Sequence, residues 1–197
     1  MRVKKKKVVA KKANILLIVE NSEVNFFKQY FNDYLLKKHG VFVKCESSGA
    51  GDKCKITNFG KMNRRIERAI QKEGYKAVFL MIDLKTKCFK TEQTHTCLVD
   101  LKKEYLPKYE IDKELKSQFY LFVVCNEIES WFLTIDKDTN SVHQDHKKEL
   151  MNLLEVNSEP QVVQKMIKEL KSTKYELDFS RNNSLEYFIK KLQEYSA

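Results

Sequence analysis

Short apolar runs alternate along this chain with longer segments in which apolar residues recur every three or four positions. Residues 15–23 contain the first run, which ends on Glu20. A continuous apolar run of this length is typical of a strand that is buried on both faces, as parallel sheets require. The next segment predicts a helix that ends at Gly40, because its apolar positions have helical spacing; they are Val24, Phe27, Phe31, Tyr34 and Leu35.

Three further apolar runs predict three more strands, and the segments between them predict helices. The strands are expected at residues 41–47, 76–83 and 118–125, and the intervening helices at residues 60–73 and 98–106. The resulting β-α-β-α-β-α-β order predicts an α/β, Rossmann-like fold with a mostly parallel sheet of about four strands flanked by helices. Amphipathic patterns predict C-terminal helices at residues 145–154, 160–170 and 184–195.

The first twelve residues are strongly basic. They contain seven cationic side chains and no acid, and without them the net charge falls from +10 to +3. Such a segment can neutralise phosphates and steer a polyanion, so nucleic acid is the expected partner; a solvated arm is the simpler alternative. We therefore expect a basic flexible arm at residues 1–12, an α/β core at 13–136, and a helical C-terminal extension at 137–197 that packs on the core.

Hydropathy and cysteine content indicate a cytoplasmic protein with no membrane partner. No apolar run approaches the roughly 20 residues of a spanning helix, and the basic start is not followed by a secretory cleavage site. Five cysteines, an odd number, agree with free thiols in a reducing compartment. Zinc is the less favoured alternative, because Cys45 and Cys54, and Cys88 and Cys97 near His95, are spaced too widely for the usual knuckles.

Acidic residues follow three of the predicted strands. Glu20 ends the first run, Asp83 ends the third, and Glu127 and Glu129 come directly after the fourth. Since the carboxyl ends of parallel strands meet at one edge of a sheet, we expect these carboxylates to lie close together. They would repel one another unless a cation lies between them, and hard divalent ions prefer oxygen ligands. The pattern therefore predicts a magnesium site.

Simpler interpretations exist for individual acids. Glu20 and Glu23 favour the N-terminus of the following helix, where negative charge is stabilised by the helix dipole. Glu129 lies three residues after Asn126, so the two could form a capping box at the start of a helix.

Three stretches resemble motifs of TOPRIM domains. Residues 15–27 (ILLIVENSEVNFF) resemble the first motif, in which a glutamate ends the first strand, and residues 78–83 (VFLMID) resemble the strand that bears the D-x-D motif. Residues 126–136 (NEIESWFLTID) are similar to the E-x-E-x-W-x-L segment of a TOPRIM-like prokaryotic family, related in fold to nucleases of the overcoming-lysogenization-defect type. The resemblance covers residues 14–136.

This resemblance implies Mg²⁺- or Mn²⁺-dependent hydrolysis of nucleic-acid phosphodiesters by a TOPRIM-like α/β fold, in prokaryotic defence or DNA metabolism. Glu20 matches the family's glutamate, a metal ligand or general acid/base, and Asp83 matches the first aspartate of D-x-D. Lys85 stands where the second aspartate belongs, so Glu127 or Glu129 would supply the missing oxygen. An ATPase partner is implied by family analogy, because this chain has no nucleotide-binding motif of its own.

Basic residues complete the expected site. Lys85 could contact the non-bridging phosphate oxygens, where charge develops during the reaction, or it could be an exposed loop lysine. Backbone phosphates are expected to contact five residues, for which a solvated surface is the alternative; they are Lys53, Lys55, Lys61, Arg64 and Arg65.

A second function also agrees with the sequence. The loss of the second D-x-D acid to Lys85, together with the basic arm, indicates a catalytically degenerate TOPRIM-fold module that binds nucleic acid or a partner protein without cleavage.

Overall fold

The computed structural model describes residues 13–20, 23–48, 56–84, 98–125, 127–141, 144–172 and 175–195. A single sheet of four parallel strands lies at the centre of this part of the chain, in the order β2-β1-β3-β4. The strands are β1 Ile15–Val19, β2 Val43–Ser47, β3 Ala77–Asp83 and β4 Phe119–Val124. The predicted α/β fold, with a parallel sheet flanked by helices, is confirmed.

The helices occupy the positions that the sequence pattern predicts, with ends that differ by a few residues. They are α1 Glu23–Phe26, α2 Asn32–His39, α3 Phe59–Gln71, α4 Leu98–Tyr105, α5 Glu129–Phe132, α6 His146–Leu153, α7 Glu159–Lys171 and α8 Asn183–Gln193. Short 3₁₀ turns lie at Leu106–Lys108, Lys116–Gln118, Leu133–Ile135 and Phe179–Arg181. No helix in the described part of the chain is both long and apolar enough to cross a membrane.

The strand register places the carboxyl ends of β1, β3 and β4 at one edge of the sheet. Ile18 of β1 is paired with Leu80 of β3, whereas Asp83 is paired with Val124 of β4. The carboxyl end of β3 therefore extends beyond that of β1 and is level with the end of β4. Ser48 continues the ladder after β2, since its amide donates to the carbonyl of Val19 over 2.7 Å.

Helices cover both faces of the sheet. Alternate residues of β1 point to opposite faces, so that Leu16 and Ile18 pack against α3 and α4, while Leu17 packs with the other helices. The second face contains the larger core, to which α6, α7 and α8 contribute Leu150, Met166 and Phe188 among others. The C-terminal helices therefore share one hydrophobic core with the sheet and with α1 and α2.

A π turn, Phe27–Phe31, interrupts the helical segment after β1. In a π turn residues five positions apart are aligned, because the hydrogen bonds run from i to i+5. Phe26 and Phe31 are accordingly stacked, with ring centroids 5.5 Å apart, and both are fully buried. The turn thus adds Phe26 to the apolar face that the helical spacing predicts.

A buried polar network connects α8 to the end of β4. Asn182 caps α8, because its Oδ1 accepts from the amides of Ser184 and Leu185. The hydroxyl of Ser184 accepts from the indole Nε1 of Trp131 over 2.9 Å and from the amide of Cys125 over 3.1 Å. These bonds fix α5, which begins at Glu129, relative to the residue that follows β4.

Candidate functional site

Glu20 and Asp83 meet at the carboxyl edge of the sheet. Glu20 follows the last residue of β1, and Asp83 is the last residue of β3. The backbone amide of Asp83 donates to Oε1 of Glu20 over 3.4 Å. The two acids that the sequence predicts to converge from neighbouring strands are therefore in contact.

Asp83 experiences the charges of four other carboxylates. Burial raises the pKa of Asp83 well above its usual range, and the negative charges of Glu23, Glu20, Glu129 and Glu127 raise this pKa further, in that order. Four acids therefore act on Asp83, and together with it they form an acidic group from three separate segments of the chain: Glu20, Glu23, Asp83, Glu127 and Glu129. All the acids that the sequence predicts for this site belong to the group.

Glu23 is the member that sequence analysis does not assign to the site. It is the first residue of α1, and only 4% of it is exposed. Its charge has the largest effect of the four on Asp83. An acid in the first turn of a helix is common for reasons of the helix dipole alone, so the sequence did not distinguish this buried glutamate from an ordinary one.

Lys147 contributes a cation to the acidic group from outside the predicted core. Its Nζ lies 3.5 Å from Oε2 of Glu127 and 4.0 Å from Oε1 of Glu129; Glu129 is buried, and the other two side chains are about one-quarter exposed. Helix α6 brings it there by packing against α5. Nothing in the sequence around Lys147 separates it from the other lysines of a charged amphipathic helix.

The capping box predicted for Asn126 and Glu129 involves a residue outside the described part of the chain, so it stays a prediction. Helix α5 begins at Glu129 itself, with Ile128 in the N-cap position and no side-chain hydrogen bond to the cap. Only 7% of Glu129 is exposed, and it contributes to the charge that acts on Asp83.

The donor chemistry of the group suits Mg²⁺ or Mn²⁺, because it consists of carboxylate oxygens without thiolate or imidazole. In the present side-chain conformation, no three of the described His, Cys, Asp and Glu residues form a metal-ligating group. The acidic group therefore fits a divalent ion in the type and the location of its ligands. Side-chain rotations would have to bring the carboxylate oxygens within coordination distance of the ion.

Three of the predicted phosphate contacts lie on α3. Lys61 and Arg64 are exposed, and Nε of Arg64 donates to the carbonyl of Gly60 over 3.1 Å. Arg65 is held by two carboxylates, since its Nη2 lies 2.9 Å from Glu46 and 3.1 Å from Glu73. The remaining basic predictions, Lys53, Lys55, Lys85 and the arm at residues 1–12, lie outside the described residues.

Two described cysteines are buried free thiols. Burial raises the pKa of Cys45 to about 12, which disfavours the thiolate that zinc would need. Sγ of Cys125 donates to the carbonyl of Asn140 over 3.2 Å. The other residues considered for zinc, Cys54, Cys88, Cys97 and His95, lie outside the described part of the chain.

No protein-family model matches this chain, and no curated protein or solved structure is significantly similar to it.

Proposed function

We propose that this protein is a metal-dependent phosphodiesterase of TOPRIM type that hydrolyses nucleic acid at the acidic edge of its sheet. The observation that supports this proposal is the contact of Glu20 with Asp83 at the carboxyl edge of the sheet, where the charges of Glu23, Glu127 and Glu129 also act on Asp83. Buried carboxylates that repel one another are unfavourable without a cation. A divalent ion with oxygen ligands would relieve that repulsion and would give the cluster a chemical role.

Three of these residues would hold the metal. Glu20, Asp83 and Glu127 would bind Mg²⁺ or Mn²⁺, which supplies Lewis-acid polarisation of the phosphate and activation of water. The contact between the Asp83 amide and Glu20 fixes the ends of β1 and β3 relative to each other. Glu23 and Glu129, both buried, would orient the ligands and maintain the negative potential that attracts a cation.

Cations of the chain would bind the substrate. Lys61, Arg64 and Arg65 of α3, together with Lys53 and Lys55, would contact backbone phosphates. Lys85, two residues after Asp83, would place its charge on the non-bridging oxygens of the reacting phosphate. The motif resemblance favours phosphodiester chemistry over other reactions of a carboxylate-bound metal, and it makes prokaryotic defence, with an ATPase partner, the biological context to test first.

A cleavage assay tests the proposal directly. Purified protein is incubated with plasmid, single-stranded DNA and RNA in the presence of Mg²⁺, Mn²⁺ or chelator. We expect metal-dependent cleavage that is lost in Glu20→Gln and in Asp83→Asn, because each change removes one ligand charge. Glu114→Gln, an exposed carboxylate on the surface, should cleave at the wild-type rate. Cleavage that survives both site substitutions would refute the assignment of the site.

One observation favours a second function, a module that binds nucleic acid or a partner protein without cleavage. Lys147 already supplies a cation to Glu127 and Glu129, so part of the repulsion is relieved without a metal. This alternative expects salt-sensitive binding of nucleic acid and no cleavage with any divalent ion, and the same assay therefore distinguishes the two functions.

A further inference from the structure

A cavity of about 360 Å³ opens at the carboxyl ends of β1 and β2, beneath the first turns of α3. Ile18 and Met62 form its apolar wall, and Lys61, Arg65 and Glu46 contribute its charges. The volume lies within the range of about 300–1,000 Å³ that small-molecule sites occupy. The cavity is on the face of the sheet that packs against α3, and none of the five acids around Asp83 lines it.

Lys61 supplies the positive charge of the cavity that favours an anion, because Arg65 is already bound by Glu46 and Glu73. Glu46 is occupied by Arg65, since its two oxygens accept from Nε and Nη2 over 2.9–3.1 Å. Nη1 of Arg65 is buried and lacks a hydrogen-bond acceptor. The ammonium of Lys61 makes no ion pair with any described acid. A buried donor without an acceptor is unfavourable, and a phosphate oxygen bound by Lys61 would satisfy Nη1 once the Arg65 side chain turned this atom toward the cavity.

The position of the cavity relates it to the acidic edge. Ile18 lines the cavity, and Glu20 follows two residues later along the same chain, a span of about 7 Å for extended backbone. A polyanion that places one phosphate near Lys61 would therefore extend toward the edge where Glu20 and Asp83 meet. The apolar wall formed by Ile18 and Met62 suits a sugar or a base. A site for an anion alone would not need such a wall.

We propose that this cavity is a nucleotide subsite, which binds the phosphate of one nucleotide through Lys61 and Arg65 and its nucleoside against Ile18 and Met62. As a subsite for the substrate strand it rests on the proposed nuclease function, but its binding of a nucleotide does not require the metal or the acidic group. It assigns Lys61 and Arg65 to one cavity, which Arg64 does not line.

Calorimetric titration in the presence of EDTA tests the subsite with thymidine 5′-monophosphate as the probe, and with thymidine and inorganic phosphate as matched fragments. We expect the monophosphate to bind more tightly than either fragment. Lys61→Met should weaken its binding about tenfold, because one charge-assisted hydrogen bond is lost. Lys72→Met removes the same charge from the exposed far end of α3 and should change binding less than twofold.

Three outcomes would overturn the proposal. They are the absence of saturable binding, equal losses in Lys61→Met and Lys72→Met, and inorganic phosphate that binds as tightly as the monophosphate. The Asp83→Asn variant separates this test from the test of the proposed function. It should lose cleavage but bind the monophosphate at least as tightly as the wild type, because the substitution removes a nearby negative charge.

Discussion

At the scale of single residues, Asp83 combines burial with the repulsion of four neighbouring carboxylates, and both raise its pKa. The unfolded chain has an aspartate pKa of about 3.9, so the folded protein binds more protons than the unfolded chain between that value and the raised native pKa. The free energy of unfolding contributed by Asp83 must therefore fall as the pH rises through this window.

Asp83→Asn should remove that pH dependence. Without added metal, we expect the variant to be more stable than the wild type at about pH 8, and the difference to disappear toward about pH 4. Urea unfolding across this range measures it. Asp136→Asn, at an exposed position, serves as the control and should follow the wild type. A variant that is less stable than the wild type at the alkaline end would contradict the electrostatic description of the site.

Lys147 gives a second prediction at this scale. Lys147→Met removes the cation beside Glu127 and Glu129 and should lower the free energy of unfolding by about 1–2 kcal/mol. This loss is smaller than for a fully buried close pair, because the two separations are 3.5 and 4.0 Å. If the acidic group binds metal, added Mg²⁺ or Mn²⁺ should stabilise this variant more than the wild type.

Thermal unfolding with and without each ion measures both effects of the lysine substitution. Lys148→Met, on the exposed side of the same helix, should show neither. Equal responses of the two variants to metal would indicate that Lys147 and a divalent ion do not share the same carboxylates.

Sequence patterns identified most of the acidic residues but not their complete environment. Glu20, Asp83, Glu127 and Glu129 were predictable, because each follows a run that is apolar enough to be a buried strand. Glu23 and Lys147 were not. A glutamate in a first helical turn and a lysine on an amphipathic helix are ordinary locally, and only the packing of α1 and α6 around the strand ends brings them to Asp83.

At the scale of elements, two asparagine caps occupy very different environments. Asn58 caps α3 from an exposed position through one bond to the amide of Lys61, whereas Asn182 caps α8 from full burial. Nδ2 of Asn182 also donates to Oγ1 of Thr139 over 2.9 Å. Loss of the Asn182 side chain therefore removes the capping bonds to Ser184 and Leu185 and also the bond to Thr139.

Asn182→Ala should lower the free energy of unfolding by about 2–3 kcal/mol, since it adds unsatisfied buried groups to the ordinary cost of a lost cap. Asn58→Ala should cost only about 0.5–1 kcal/mol, because water replaces its bond. Chemical denaturation of both variants provides the comparison. Similar losses in the two would mean that the buried network contributes little beyond capping.

Element boundaries were predicted best where the apolar pattern was unambiguous. The third strand begins one residue later than predicted, and the fourth begins one residue later and ends one residue earlier. The agreement is close because a buried strand ends where the apolar run ends. The second strand begins at Val43 and not at residue 41. The π turn at Phe27–Phe31 could not be predicted, because an α-helical face and a π turn share nearly the same apolar spacing over one turn.

At the scale of the whole molecule, the shared core predicts one cooperative unit. Helices α6 to α8 bury Leu150, Met166 and Phe188 in the same cluster as Leu17 and Phe79 of the sheet. We expect the loss of helical signal and the loss of aromatic tertiary signal in circular dichroism to coincide during denaturation, as in two-state unfolding. Two separated transitions would show that residues 137–197 fold as an independent extension.

The only tryptophan of the chain is Trp131, two residues after Glu129, fully enclosed and hydrogen-bonded to Ser184. Its emission therefore comes from a single site that adjoins the acids, without background from other indoles. We expect the emission of Trp131 to be blue-shifted. Quenching or a shift of this emission during titration with ions or ligands would report binding at that end of the sheet without an added label.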